Sequence, residues 1–178
     1  LIVYYIDKII NFIMAYFKIE DVDDYKSLID KLIVEEKLED ISKEYTTKYG
    51  VQYNLYHSEK IRQELNPLTN VIIEKIKQVS NQIKKVELIA SWTCIGKKGT
   101  YHTAHKHNTN DDLVAVLYLA CPEATYPDGA IYFIENNEVY RHMPVTGDLL
   151  IFPATTIHGT YPQGEGLRQT LNMDFKIN

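Results

Sequence analysis

The chain has 178 residues, with 19 Lys and Arg against 24 Asp and Glu, a formal net charge of −5. That length suits one domain, and 45% hydrophobic with 24% charged residues is an ordinary globular composition. The acidic balance, with no basic stripe, excludes the usual electrostatic footprint for nucleic acid. Only two cysteines occur, Cys94 and Cys121, with no paired spacing. This excludes a disulfide framework and a cysteine zinc site, and both read as reduced thiols of a cytoplasmic protein.

The apolar start, "LIVYYIDKIINFIMAYF", is split by Asp7 and Lys8. It lacks the basic front and cleavage site of a signal peptide, and it is too short and interrupted to span a bilayer, so no membrane partner is expected. Residues 1–13 read as marginal to function. Over 23–45, Tyr25, Leu28, Leu32, Ile33 and Leu38 fall near a 3.6 period, which predicts a helix. A second helix is predicted over 66–85, with Pro67 at its start and a stripe of Ile72, Ile73, Ile76 and Val79. Both stripes read as core packing against a sheet.

Near residue 86 the pattern changes to short strands divided by turns. Strands are predicted at 86–94, 113–120, 130–135, 138–142, 148–153, 157–162 and 168–177, with "YPDGA", "NN", "VTGD" and "PQGEG" as turn signals. "AVLYL" and "LLIF" are apolar on both faces, as in buried strands. Short antiparallel strands at regular spacing predict a sandwich or barrel. The last strand alternates cleanly. Gln169, Leu171, Met173 and Phe175 share one face, and Arg168, Thr170, Asn172 and Asp174 share the other. The polar set either meets solvent or lines a polar cavity.

"GTYHTAHKHNTNDD" holds His102, His105 and His107. In an extended segment a His-x-His pair puts both imidazoles on one side, where they can share a divalent cation. A third ligand must come from elsewhere, and His158 on a late strand is the candidate. Ten residues beyond it stands Arg168, with Thr170 two further on. A buried guanidinium needs an anionic partner. None is adjacent in sequence, so a ligand carboxylate would serve.

These three elements, "GTYHTAHKH", "GDLLIFPATTIHGTYP" and "RQTLNMDF", resemble the Fe(II)- and 2-oxoglutarate-dependent dioxygenases, close to their prolyl-4-hydroxylase-like branch of bacterial and bacteriophage type. The resemblance covers residues 86–178. It implies a mainly β protein with N-terminal helices, folded as a double-stranded β-helix (jelly roll, cupin-like). Residues 1–85 would be a helical support and 86–178 the catalytic core. It implies Fe(II) held by His105, His107 and His158, and 2-oxoglutarate as co-substrate bound by Arg168, Thr170, Tyr118 and Asn172. With O2, the reaction would yield succinate and CO2 and hydroxylate a C–H bond. The substrate would be a small molecule or a peptide or protein, with peptidyl proline as the family-level expectation. Tyr118, Tyr132 and Trp92 are candidate pocket-lining aromatics. The oligomeric state is not indicated.

The chain departs from the family at His107, where relatives usually carry a carboxylate ligand. A second alignment pairs His102 with Ala104, similar to the His-x-Ala form of iron halogenases. A carboxylate from Asp111 or Asp112 is a further candidate ligand, beside their reading as a solvated loop. Two other classes also fit three histidines on a β scaffold. One is a zinc enzyme that activates water, for which Arg168 has no role. The other is a non-catalytic jelly-roll binding module, favoured by the His-for-carboxylate change.

Overall fold

The structure of the chain, a computed structural model, describes residues 2–5, 12–80, 82–107 and 112–178. The elements in chain order are β1 (Ile2–Tyr5), β2 (Phe12–Lys18), α1 (Val22–Glu35), β3 (Thr47–Asn54), α2 (Glu59–Val79), β4 (Val86–His102), β5 (Leu113–Ala120), β6 (Ile131–Glu135), β7 (Glu138–His142), β8 (Asp148–Pro153), β9 (Ile157–Thr160) and β10 (Arg168–Ile177). They build two antiparallel sheets, one ordered β1-β2-β8-β5-β10-β4-β3 and the other β7-β6-β9. This is the expected jelly roll braced by helices. No helix among the described residues is long and apolar enough to cross a membrane.

The doubly apolar strands explain the layering. In β5, Leu113, Ala115, Leu117 and Leu119 join one core, while Val114, Val116 and Tyr118 join another. β8 divides in the same way, Leu149 and Ile151 against Leu150 and Phe152. Period-two alternation therefore sends one set toward the helices and the other between the sheets. The helices supply Ile29, Leu32, Leu68, Ile72 and Ile76 to the first core. In the second, Phe133 meets Phe152 edge-on, with ring centroids 5.0 Å apart. Such a contact is worth about 0.5–1.5 kcal/mol beyond the area it buries.

Several element boundaries differ from expectation. The first helix stops at Glu35 rather than running to residue 45. Lys37 takes a left-handed conformation (φ 51°), and the Leu38 and Lys37 amides bond back to the Ile33 and Val34 carbonyls. That closure usually announces itself with glycine, and here it does not. The second helix begins at Glu59, because Ser58 caps it: its hydroxyl accepts from the Ile61 amide at 3.3 Å. Pro67 therefore sits inside α2, where it removes one helical donor.

Residues 1–85 are also not purely helical. β2 pairs with β8 through Ala15–Lys18, and β3 pairs with β4, so both flank the large sheet. β1 pairs only with β2, at the sheet edge, whereas Ala15 and Phe17 are buried in the core. β4 continues to His102, past the predicted end at residue 94, and β9 stops at Thr160.

Candidate active site

The His-x-His segment is delivered by the end of β4 and docks against β9. The His105 amide donates to the His158 carbonyl at 2.9 Å, and the His158 amide returns to the His105 carbonyl at 2.8 Å. These two residues thus form a directly opposed antiparallel pair. The His107 amide donates to the Ala154 carbonyl at 2.9 Å, which fixes the second ring's position along the same edge. Gly159 is required beside this pair. A Cβ there would run into the Tyr132 hydroxyl and lie 2.9 Å from the His102 carbonyl.

One nitrogen from each of His105, His107 and His158 lies within 4.8 Å of the others. The ring centroids are 5.4 Å apart for His105–His107, 4.3 Å for His105–His158 and 5.2 Å for His107–His158. Each Nδ1 faces an oxygen that only accepts: Thr103 O at 2.8 Å from His105, Thr156 O at 3.0 Å from His158, and Asp174 Oδ1 at 2.7 Å from His107. Nδ1 of each ring therefore carries the hydrogen, and Nε2 keeps its lone pair for the cavity. Three convergent neutral imidazoles are the donor set that a borderline divalent transition metal takes.

Burial favours the neutral form of His158 and His105. It depresses His158 well below the ordinary imidazole range, with His105 adding to the effect, and it lowers His105 too. His102 is driven down to about 3 by burial, by the Arg168 guanidinium and by His105. In the unfolded chain these imidazoles would take up protons near pH 6.5. Between that value and the lower folded values, the unfolded state binds more protons, so stability falls as pH falls. The metal-free chain is therefore expected to lose urea resistance steadily from pH 7.5 to pH 5, and to regain it on return. An unchanged urea midpoint across that range, in the presence of a chelator, would contradict the burial of these rings.

The histidines line a cavity of about 400 Å³ between the two sheets, together with Trp92, His102, Tyr118, Arg168, Thr170, Asn172 and Asp174. The polar face of β10 thus lines a cavity and does not meet solvent. Arg168 is 5% exposed. It donates to the Gly129 carbonyl at 3.0 Å and to the Thr160 hydroxyl at 3.4 Å. Among the described residues no carboxylate oxygen lies within 4.0 Å of it. Thr160 follows His158 by two residues on β9, so the arginine and the imidazole cluster meet the same face of one short strand.

Tyr118, Thr170 and Asn172 lie on the cavity wall. Asn172 donates to the Thr170 hydroxyl at 3.1 Å, and burial raises the Tyr118 phenol, which stays protonated. Trp92 also lines the cavity. Tyr132 does not: it packs at 66° against Tyr161, on the face of β6 opposite Ile131 and Phe133. His102 lies on the cavity wall, 3.4 Å from the Thr47 hydroxyl, and is not part of the three-nitrogen cluster, so the His102/Ala104 alignment gains no geometric support. Asp111 lies outside the described residues. Asp112 is committed elsewhere, accepting from Lys176 Nζ at 3.3 Å and from the Ile177 amide at 2.8 Å. Cys94 and Cys121 are free thiols, raised by burial to about 11 and about 12, and so are protonated and weakly nucleophilic. Sequence reasoning missed Thr160 as a partner of Arg168 and Asp174 as a partner of His107. The only signal for Asp174 was its place in the polar alternation of β10.

No protein-family model matches the chain, and no curated protein sequence matches it. Solved structures do. A prolyl-4-hydroxylase from Pseudomonas putida is similar at 15% identity and a TM-score of 0.66, over 93% of this chain and 92% of that one. The viral collagen prolyl hydroxylase of Paramecium Bursaria Chlorella virus-1, in its 2OG complex, gives 16% and 0.60 over 90% and 94%. HygX from Streptomyces hygroscopicus, with nickel and 2-oxoglutarate bound, gives 12% and 0.69 over 91% and 82%. The two facing sheets, the bracing helices and these likenesses agree: the chain has the fold of the prolyl-4-hydroxylases and other 2OG-Fe(II) oxygenases.

Proposed function

We propose that the chain is an Fe(II)- and 2-oxoglutarate-dependent dioxygenase that hydroxylates a C–H bond. One observation carries this reading: three imidazoles whose Nδ1 atoms are engaged outward share a cavity with a buried guanidinium that has no carboxylate of its own among the described residues. His105, His107 and His158 would hold the metal. When bound, iron supplies the oxidative chemistry that couples decarboxylation of 2-oxoglutarate by O2 to oxygen insertion.

The protein's own part is to bind, orient and exclude water. Arg168 would grip the distal carboxylate through its planar fork, and Thr170 and Asn172 offer hydroxyl and amide groups beside it. Tyr118, buried and protonated, is a donor on the same wall. Phe152 and Phe133 back His158 with apolar surface, which keeps the ligand cluster dry. The substrate class is a peptide or a small molecule, and peptidyl proline is the specific candidate suggested by the prolyl hydroxylases of the same fold. The two free cysteines support a reducing compartment, the cytoplasm.

The test is metal analysis joined to turnover. Anaerobically purified chain loaded with Fe(II) should convert 2-oxoglutarate to succinate only when O2 is admitted. Tight binding of zinc with no O2-dependent succinate would replace this reading with a three-His zinc enzyme. Absence of both would leave a binding module.

A further inference from the structure

The resemblance drawn from the sequence implies a carboxylate ligand at the position of His107, and in this chain a carboxylate is present one ring further out. Asp174 lies on the inner face of β10, paired in register with Ala90 on one side and Val114 on the other. It is 6% exposed. A buried carboxylate without a partner is costly. Its one side-chain partner among the described residues is His107, at 2.7 Å. The other two histidines lean on neutral backbone carbonyls. Among the described residues, His107 is the one member of the three with an anion hydrogen-bonded to its ring. The ring is also confined by Trp92, whose centroid lies 5.6 Å away at an interplanar angle of 33°, and its backbone is held by Ala154. Within that confinement, Asp174 is the hydrogen-bonding group that orients the imidazole.

Resting on the metal-centre reading above, we propose that Asp174 is the positioning residue of that centre. Its carboxylate holds His107 with hydrogen on Nδ1 and Nε2 toward the cavity. It also returns to the site, one imidazole behind the metal, the negative charge that three neutral ligands lack. A carboxylate hydrogen-bonded to a ligating imidazole makes that ring a better donor and fixes its tautomer. The anion would thus lie one imidazole outside the ligand set, hydrogen-bonded to one of its members.

The test uses Asp174→Asn in the full chain, with Co(II) alone as the probe. An amide can donate to Nδ1, which pushes the hydrogen of His107 onto Nε2 and blocks the ligating lone pair. Nitrogen-15 NMR of the metal-free protein at pH 8 should find His107 of the wild type with hydrogen on Nδ1, and a large Nε2–H population in the variant. Co(II) affinity should fall about 10- to 100-fold. In a His107→Ala background the same Asp174→Asn change should cost nothing further, because the effect passes through the ring. A merely structural carboxylate would give equal losses in both backgrounds, and that result overturns the proposal. So does a wild-type His107 found with hydrogen on Nε2, a measurement that needs no variant to fold. Unchanged Co(II) affinity in Asp174→Asn removes the positioning role and leaves the metal centre standing. A wild-type chain that binds no Co(II) removes both.

Discussion

Arg168→Ala is expected to weaken 2-oxoglutarate binding by about 30-fold to several thousand-fold. Truncating one partner of a buried charged pair costs about 2–5 kcal/mol, and about 1.4 kcal/mol is tenfold. The arginine is 5% exposed, and among the described residues its side chain donates to the Gly129 carbonyl and the Thr160 hydroxyl and to no carboxylate. A dianionic ligand would therefore supply its first full countercharge. Metal affinity should stay nearly unchanged, since Arg168 is not among the three clustered nitrogens. Anaerobic titration of the Mn(II)-loaded wild type and variant with 2-oxoglutarate measures both quantities. Arg168→Lys should fall between them, because an ammonium keeps the charge and loses the fork. Equal affinity in wild type and Arg168→Ala would remove the co-substrate assignment.

His158→Ala is expected to abolish retention of the metal. It removes one of the three proposed ligands outright, so the loss should exceed the roughly 10- to 100-fold cost of losing an orienting partner. The variant should still fold, because His158 and His105 are joined through backbone groups that alanine keeps. Metal content after dialysis, with circular dichroism as the check on folding, decides it. A His158→Ala protein that keeps stoichiometric metal would mean that the cluster is not the binding site.

The parts legible in the sequence were those governed by local period. The alternation of β10 separated Leu171, Met173 and Phe175 from Arg168, Thr170, Asn172 and Asp174, and both groups went where that alternation sent them. His105 and His107 fell on one side for the same reason. Parts governed by tertiary contact were not legible. β3 carries Gly50 and a left-handed Tyr49 within a short polar stretch, and only pairing with β4 makes it a strand. The end of α1 uses Lys37 where glycine would have marked it. Asp174 was visible as a polar residue. Its meeting with His107, 67 positions earlier, depends on two sheets closing over each other.

β10 has a further consequence. Its inner face begins with a guanidinium and, six residues on, carries a carboxylate. At about 3.3–3.4 Å per residue those charges stand roughly 20 Å apart along one rigid strand. That inner face is neutral in sum and polarised along its length. An anion entering the cavity is drawn toward one end and a cation toward the other. In the proposed reading, this strand would favour an anionic co-substrate at its arginine end and a cationic centre, through His107, toward its carboxylate end.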